Sequence, residues 1–149
     1  MKVATETKEN VELWSRPMEF SLPKGLIGLS DVNKFEMLVN EEELPFMWIR
    51  GIDRHELGFV VIEPSQILND YIIEISDEDI AALGIQDSQD ALVLNIVTIP
   101  NGESLESATV NLIGPLVINK KTLVGRQIIT CNYQKYTSKH PLLQNSVSN

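Results

Sequence analysis

The chain has 149 residues, a net charge of -9 and 43% hydrophobic side chains, the size and composition of one folded domain with its own core. A single cysteine excludes an internal disulfide framework, and two distant histidines beside it leave too few soft ligands for a zinc centre. No apolar run approaches the roughly 20 residues of a membrane span, and the opening "MKVATETKENVE" lacks the apolar stretch of a secretory signal, so a cytoplasmic location is expected.

Taken in order, short β-rich runs alternate with turn signals. "VELW" and "MEFSL" flank Pro17, and "LPKGLIGL" reads as a loop or bulge because two glycines and a proline punctuate it. "FEML", "PFMWIR", "GFVVIEP" and "YIIEIS" are expected as successive strands, separated by "NEEELP", "GIDRHEL" and "SQILND". "SDEDIAALGI" is the one expected helix. Ser76 caps it, Asp77, Glu78 and Asp79 face the positive end of its dipole, Gly84 stops it, and Ile80 and Leu83 point inward. "LVLNIVTIPNGESLESATVNL" reads as a hairpin turning at Pro100-Asn101-Gly102. Leu92, Leu94 and Ile96 share one face of its first arm, and Val93, Val97 and Ile99 the other; a strand apolar on both faces is central or has its outer face covered. In "VNLIGPLVIN", Gly114-Pro115 interrupts two apolar runs. Proline cannot donate to a ladder, so a bulge or strand corner is expected, with Asn111 and Asn119 bonding local backbone. The pattern predicts an all-β fold: a small antiparallel β-barrel-like domain with one short helix over residues 1–136, and a flexible C-terminal tail over 137–149.

Charge is distributed unevenly. Residues 1–35 are balanced, residues 36–106 carry a net -14, and residues 107–149 carry +5 with no acid at all. An acidic surface disfavours direct nucleic-acid binding; it either suits a basic protein partner or simply keeps a small domain soluble.

Signatures of chemistry are sparse. The chain has no nucleophile elbow, phosphate-cradling loop or dinucleotide fingerprint, so no catalytic, cofactor or metal residues are assigned. "DRHE", Asp53 to Glu56, is the best acid–base cluster, and a solvated turn is its simpler reading. Cys131 alternates with Gln127, Ile129 and Tyr133 and is expected to face the core. Phe46 and Trp48 share one face of "PFMWIR" opposite Met47 and Ile49. The simpler reading is barrel core; the sharper one makes one of these two faces a groove for an amphipathic helix.

In their order and spacing, "FSLPKGLIGLSDVNKFEML", "LPFMWIRGIDRHELGFVVIEP", "TVNLIGPLVINKKTLVGRQII" and "YTSKHPL" resemble the FliW family of bacterial flagellar assembly factors. The match runs from about Phe20 to Leu142. Its most specific parts are Pro45-Phe46-x-Trp48, Phe59-Val60-Val61 with Pro64, and Asn111-Leu112 with Pro115-Leu116-x-Ile118-Asn119. One departure is Ile27-Gly28-Leu29, where the family usually has a Pro-Gly-Phe-like turn. The resemblance implies a non-enzymatic β-barrel-like protein with no cofactor and two protein partners. These are cytoplasmic flagellin and the RNA-binding translational regulator CsrA, which is captured once flagellin has been exported. On charge and position, the CsrA contact is expected at Glu41, Glu42, Glu43, Asp53 and Glu56. The flagellin contact is expected beside the third segment, at Leu116, Val117 and Ile118, where core packing is the competing reading. Two rivals stand beside this one. One is a small enzyme whose "DRHE" side chains converge in a pocket; the other is a ligand carrier with a cavity inside the barrel.

Overall fold

Strand alternation and turn chemistry together wind most of the chain into one curled antiparallel sheet. The computed structural model describes residues 1–4, 18–66, 68, 70–100 and 104–143. Its strands are β1 (Lys2–Ala4), β2 (Met18–Ser21), β3 (Lys34–Leu38), β4 (Phe46–Gly51), β5 (Gly58–Ile62), β6 (Ile72–Glu74), β7 (Ala91–Thr98), β8 (Thr109–Val110), β9 (Leu116–Asn119), β10 (Gly125–Gln127) and β11 (His140–Pro141), with helix α1 (Asp77–Leu83) between β6 and β7. The main sheet runs β10-β9-β7-β5-β4-β3-β2, with β8 on β7 and β11 on β8. The sheet is open as a ladder. It curls until Ser21, at the end of β2, meets Val124 beside β10 in a single parallel bridge, and the Ser21 N–H donates to the Leu123 carbonyl at 2.9 Å. That bridge gives the barrel-like form, and the Ile27 N–H, donating to Gln127 Oε1 at 2.8 Å, holds the same seam.

The curl separates two apolar layers. Phe20, Phe35, Met37, Met47, Ile49, Val61, Leu92, Leu94, Leu116 and Ile118 fill the interior, each at most 3% exposed, with Phe20 and Phe35 stacked at 5.7 Å. Ala91, Val93, Val97, Val110 and Val117 point the other way, into a second core closed by Val3, Ile73, Leu83 and Leu142. This explains the doubly apolar β7: its outer face is covered by β1, β6, α1 and the C-terminal segment. An interior packed with side chains favours framework over ligand carriage.

Two elements differ from the sequence reading. The "YIIEIS" strand does not join the main sheet. β6 pairs instead with β1 at the very N-terminus, Val3 opposite Ile73, a partner too short to show as a periodic run. The outward edge of β6 is closed by the 130–136 segment instead of a strand: the Cys131 N–H donates to the Glu74 carbonyl at 2.8 Å, Asn132 Nδ2 and Tyr136 Oη donate to the Ile72 carbonyl at 2.8 and 3.1 Å, and Thr130 Oγ1 accepts from the Glu74 N–H at 2.9 Å. The second difference is the expected flexible tail from residue 137. Over 137–143 it is a docked strap: Leu112 N–H donates to the Thr137 carbonyl, His140 lies opposite Val110, and Leu142 is buried at 8% exposure. Residues 144–149, "VELW" and Asn101-Gly102 lie outside the described residues. The arms of the predicted hairpin do pair, Val97 with Val110, through a connection that includes the 3-10 turn Leu105–Ser107.

The helix is built as its sequence dictates. Ser76 Oγ accepts from the Asp79 N–H at 3.1 Å, and Gly84 takes the left-handed conformation at φ 66. Asn119 Nδ2 then donates to the Leu83 carbonyl at 2.9 Å, and Arg126 reaches the Asp79 carboxylate at 2.7 Å, fastening α1 to β9 and β10.

"VNLIGPLVIN" is a bulge of unusual width. β7 pairs with β8 up to Val97–Val110 and with β9 from Leu94–Leu116, so five residues, 111–115, face only two, 95 and 96. Asn111 Oδ1 accepts from the Ile113 and Gly114 N–H groups at 3.0 and 2.9 Å. From β7, the fully buried Asn95 donates to the Asn111 carbonyl at 2.8 Å and to Tyr71 Oη at 3.2 Å; Tyr71 in turn donates to the Leu112 carbonyl at 2.6 Å. Burial is the main reason the Tyr71 phenol is pushed far above its ordinary range. A raised folded pKa gives stability that is complete below the unfolded value of about 10 and is lost as pH rises past it. In an absorbance titration at alkaline pH, the Tyr71 phenolate signal should therefore appear only together with unfolding.

Candidate functional site

The two ends of β4 carry the five acids expected to form one partner surface, and the strand keeps them apart. Glu41, Glu42 and Glu43 form an exposed 3-10 turn whose start is capped by Asn40, Oδ1 accepting from the Glu42 N–H at 3.0 Å. Asp53 and Glu56 are exposed in the loop at the opposite end of the six-residue strand, about 20 Å away at the usual rise per residue. The five therefore make two patches instead of one. The loop is also partly neutralised. Arg54 Nε donates to Glu56 Oε2 at 2.9 Å and its guanidinium lies 3.6 Å from Asp31; the Arg54–Glu56 contact lowers the Glu56 pKa and raises that of Arg54. No cation is paired with Glu41, Glu42 or Glu43 among the described residues, whereas Glu36, Glu56, Asp79 and Asp90 are each paired to an arginine or lysine.

Pairing also explains how the lopsided sequence becomes a more even molecule. Arg126 and Lys121, from the acid-free C-terminal stretch, reach back to Asp79 and Asp90 in the acidic middle. Among the described residues, the Glu41–Glu43 turn is one place where three adjacent acids have no salt-bridge partner.

Leu116, Val117 and Ile118 are all at 0% exposure, Leu116 and Ile118 in the barrel interior and Val117 in the second core. They offer no side-chain surface to flagellin, because β9 is sandwiched between β7 and β10 with both faces packed. Cys131 is exposed, contrary to expectation. β10 ends at Gln127, and the alternation that continues beyond it buries Ile128 and Thr130 instead. The "DRHE" side chains do not converge. His55 is 61% exposed, its nearest acid is Glu36 at 3.9 Å, and Glu36 is already held by Arg50 at 2.8 Å.

The apolar surface lies elsewhere. Met47 and Ile49 turn into the barrel, so Phe46 and Trp48 turn out, and Trp48 is 44% exposed between its cross-strand neighbours Leu38 and Val60. Leu44, Phe46, Trp48, Val60 and Ile99 line a depression of about 390 Å³ rimmed by Glu42 and Glu43. Trp48, Val60 and Ile99 also border a second depression of about 600 Å³, which continues over Phe59 and Ile96 to Ile27 and Gly28. The two form one trough that gathers four strongly exposed large hydrophobics, Ile27, Leu44, Trp48 and Ile99. Such concentration on a small domain marks a surface for another molecule. Of these, only Trp48 lay on a face that the sequence offered as a possible groove, beside the opposite Met47–Ile49 face and the simpler core reading. Ile27 sits in the glycine-flanked turn that departs from the family pattern, a signal that was available. Leu44 and Ile99 lie at element ends, where periodicity says nothing about exposure.

Comparison with known proteins decides what kind of molecule this is. A family model described as FliW protein matches residues 2–142. The chain belongs to the FliW family. Among FliW relatives, the flagellar assembly factor FliW of Natranaerobius thermophilus is 40% identical over 122 residues, covering 82% of this chain and 80% of that protein. The flagellar assembly factor FliW of Clostridium botulinum (strain 657) is 37% identical over 144 residues, covering 97% and 98%. A crystal structure of the flagellar assembly factor FliW superposes with a TM-score of 0.74 at 28% identity, covering 97% of this chain and 98% of that one. The antiparallel fold described above is thus shared with a solved FliW structure. Among the described residues, no group of histidine, cysteine and acidic side chains is placed to hold a metal, and no helix is long and apolar enough to cross a membrane.

Proposed function

We propose that this FliW chain works in the cytoplasm as a non-enzymatic holder of two proteins. It binds monomeric flagellin, and after flagellin export it captures CsrA, relieving repression of flagellin synthesis. Membership of a family of flagellar assembly factors supports the role in assembly. The observation that carries the binding reading is the trough around Trp48. Flagellin's terminal segments are amphipathic helices that lack partners before the filament forms, and an open apolar trough suits one such helix. CsrA is basic enough to hold RNA, and the unpaired Glu41–Glu43 turn offers it a complementary charge. Asp53 and Glu56 would contribute only to a partner large enough to reach both ends of β4.

Isothermal titration with monomeric flagellin and with CsrA from the same organism, at about 50 and 300 mM salt, tests this. Both should bind, and raised salt should weaken CsrA more than flagellin, because exposed charges are screened while apolar burial is not. Heat released with neither partner at either salt would remove the reading.

A further inference from the structure

The trough is electrically one-sided. At one end Glu42 and Glu43 stand on its rim, without a salt-bridge partner among the described residues. At the other end its lining is Leu26, Ile27, Gly28, Leu29 and Gln127, with no ionisable side chain. Between them the floor is apolar and continuous through Trp48, Val60 and Ile99. A flat apolar strip would accept an amphipathic helix in either direction. This one should not, since a helix has a positive N-terminal end and a negative C-terminal end, each equivalent to about half a charge. Reversing the helix exchanges an attraction at the acidic rim for a repulsion.

We infer that an amphipathic helix lies in the trough in one direction, its N-terminal turn, bearing lysine or arginine, against Glu42 and Glu43 and its C-terminal turn toward Ile27. This rests on the reading of the trough as a helix site and adds to it a polarity and a required charge. The recognised chemistry is an apolar stripe at helical spacing preceded by basic residues, and a helix that opens with acids is rejected.

The test uses the full chain and two synthetic peptides of about 18 residues, roughly 27 Å of helix. They share composition and leucine stripe and are cross-linked at mid-helix so that both are helical before binding, since a lysine pair opposes the dipole of the helix it opens. One carries the pair in its first turn, the other in its last. The first should bind about fivefold more tightly, the scale of two exposed ion pairs plus the dipole. Glu42→Gln combined with Glu43→Gln should remove that difference and leave the weaker affinity almost unchanged. A nitroxide on the peptide N-terminus should broaden the backbone amide signals of residues 41–44, and one on the C-terminus those of residues 26–29. Binding with the broadening reversed, or equal from both labels, overturns the polarity while leaving the trough as a helix site. Binding of either peptide that is indifferent to Trp48→Ala overturns the helix site itself, and the polarity with it.

Discussion

Replacing Trp48 by alanine is expected to weaken flagellin binding by about 100-fold while the chain stays folded. Large aromatic side chains at the centre of a desolvated patch typically carry about 2–4 kcal/mol of an interface, with near-neutral contacts around them. Trp48 is placed for that role because it borders both depressions of the trough and is the largest side chain in either. At 44% exposure it already gives roughly half its surface to Leu38, Val60 and their neighbours, so truncation should lower stability by only about 1 kcal/mol. Opposite-face neighbours provide the contrast. Met47→Ala, at 1% exposure, should destabilise by about 2–4 kcal/mol and alter affinity only through the folded fraction. The measurement is titration calorimetry beside thermal unfolding for both variants. In a background with the second tryptophan, Trp14, replaced by phenylalanine, a blue shift of Trp48 emission on binding reports burial of the ring directly. Affinity unchanged within about twofold in Trp48→Ala would move the flagellin site off the trough.

The contrast between Trp48 and Met47 also shows how far the sequence could lead. Alternation in "PFMWIR" divides the residues into two faces, but it cannot say which face meets the barrel interior; both are apolar. That choice is made by pairing partners, Met37 and Val61 beside Ile49 and Met47, which arrive from elsewhere in the chain. Local signals were reliable where the physics is local. The Ser76 cap, the Gly84 stop and the interruption at Gly114-Pro115 were legible because each depends on the conformational limits of one or two residues. Misplaced features are those whose environment is built by distant segments. β1 and β6 find one another across some 70 residues, the strap 137–143 is held by Ala108 and Leu112, and Cys131 is exposed because the alternation past β10 turns Ile128 and Thr130 inward instead. The acidic surface was half legible. A count along the chain located the acids; only the fold revealed that Arg126 and Lys121 reach two of them and that β4 separates Glu41, Glu42 and Glu43 from Asp53 and Glu56.

The second large effect concerns stability, and it centres on a single amide. Asn95→Asp is expected to destabilise the fold by about 3–5 kcal/mol at neutral pH, although the side chains are nearly the same size. Asn95 is at 0% exposure, and its Nδ2 donates to the Asn111 carbonyl and to Tyr71 Oη. A carboxylate in its place turns the Asn111 contact into acceptor facing acceptor, and it is buried without a cation unless it takes up a proton. The folded pKa of that carboxyl would therefore rise above the unfolded value of about 3.9, so the penalty applies above that pH and fades as pH falls toward it. Chemical denaturation of both proteins at about pH 7 and pH 4.5 should show the gap narrowing on acidification. Asn95→Leu should cost less, about 1–2 kcal/mol, because it removes a donor but also Asn95 Oδ1, which is buried without a hydrogen-bond partner. A pH-independent deficit in Asn95→Asp would mean that the bulge is fastened by Asn111 alone. The bulge then matters to binding through position: residues 95 and 96, which it faces, lie on β7 directly before Val97, Thr98 and Ile99, which wall the trough. Loosening it should disturb the trough at its Ile99 side and leave the capped Glu41–Glu43 turn intact. Flagellin affinity in Asn95→Leu should accordingly fall more than CsrA affinity does.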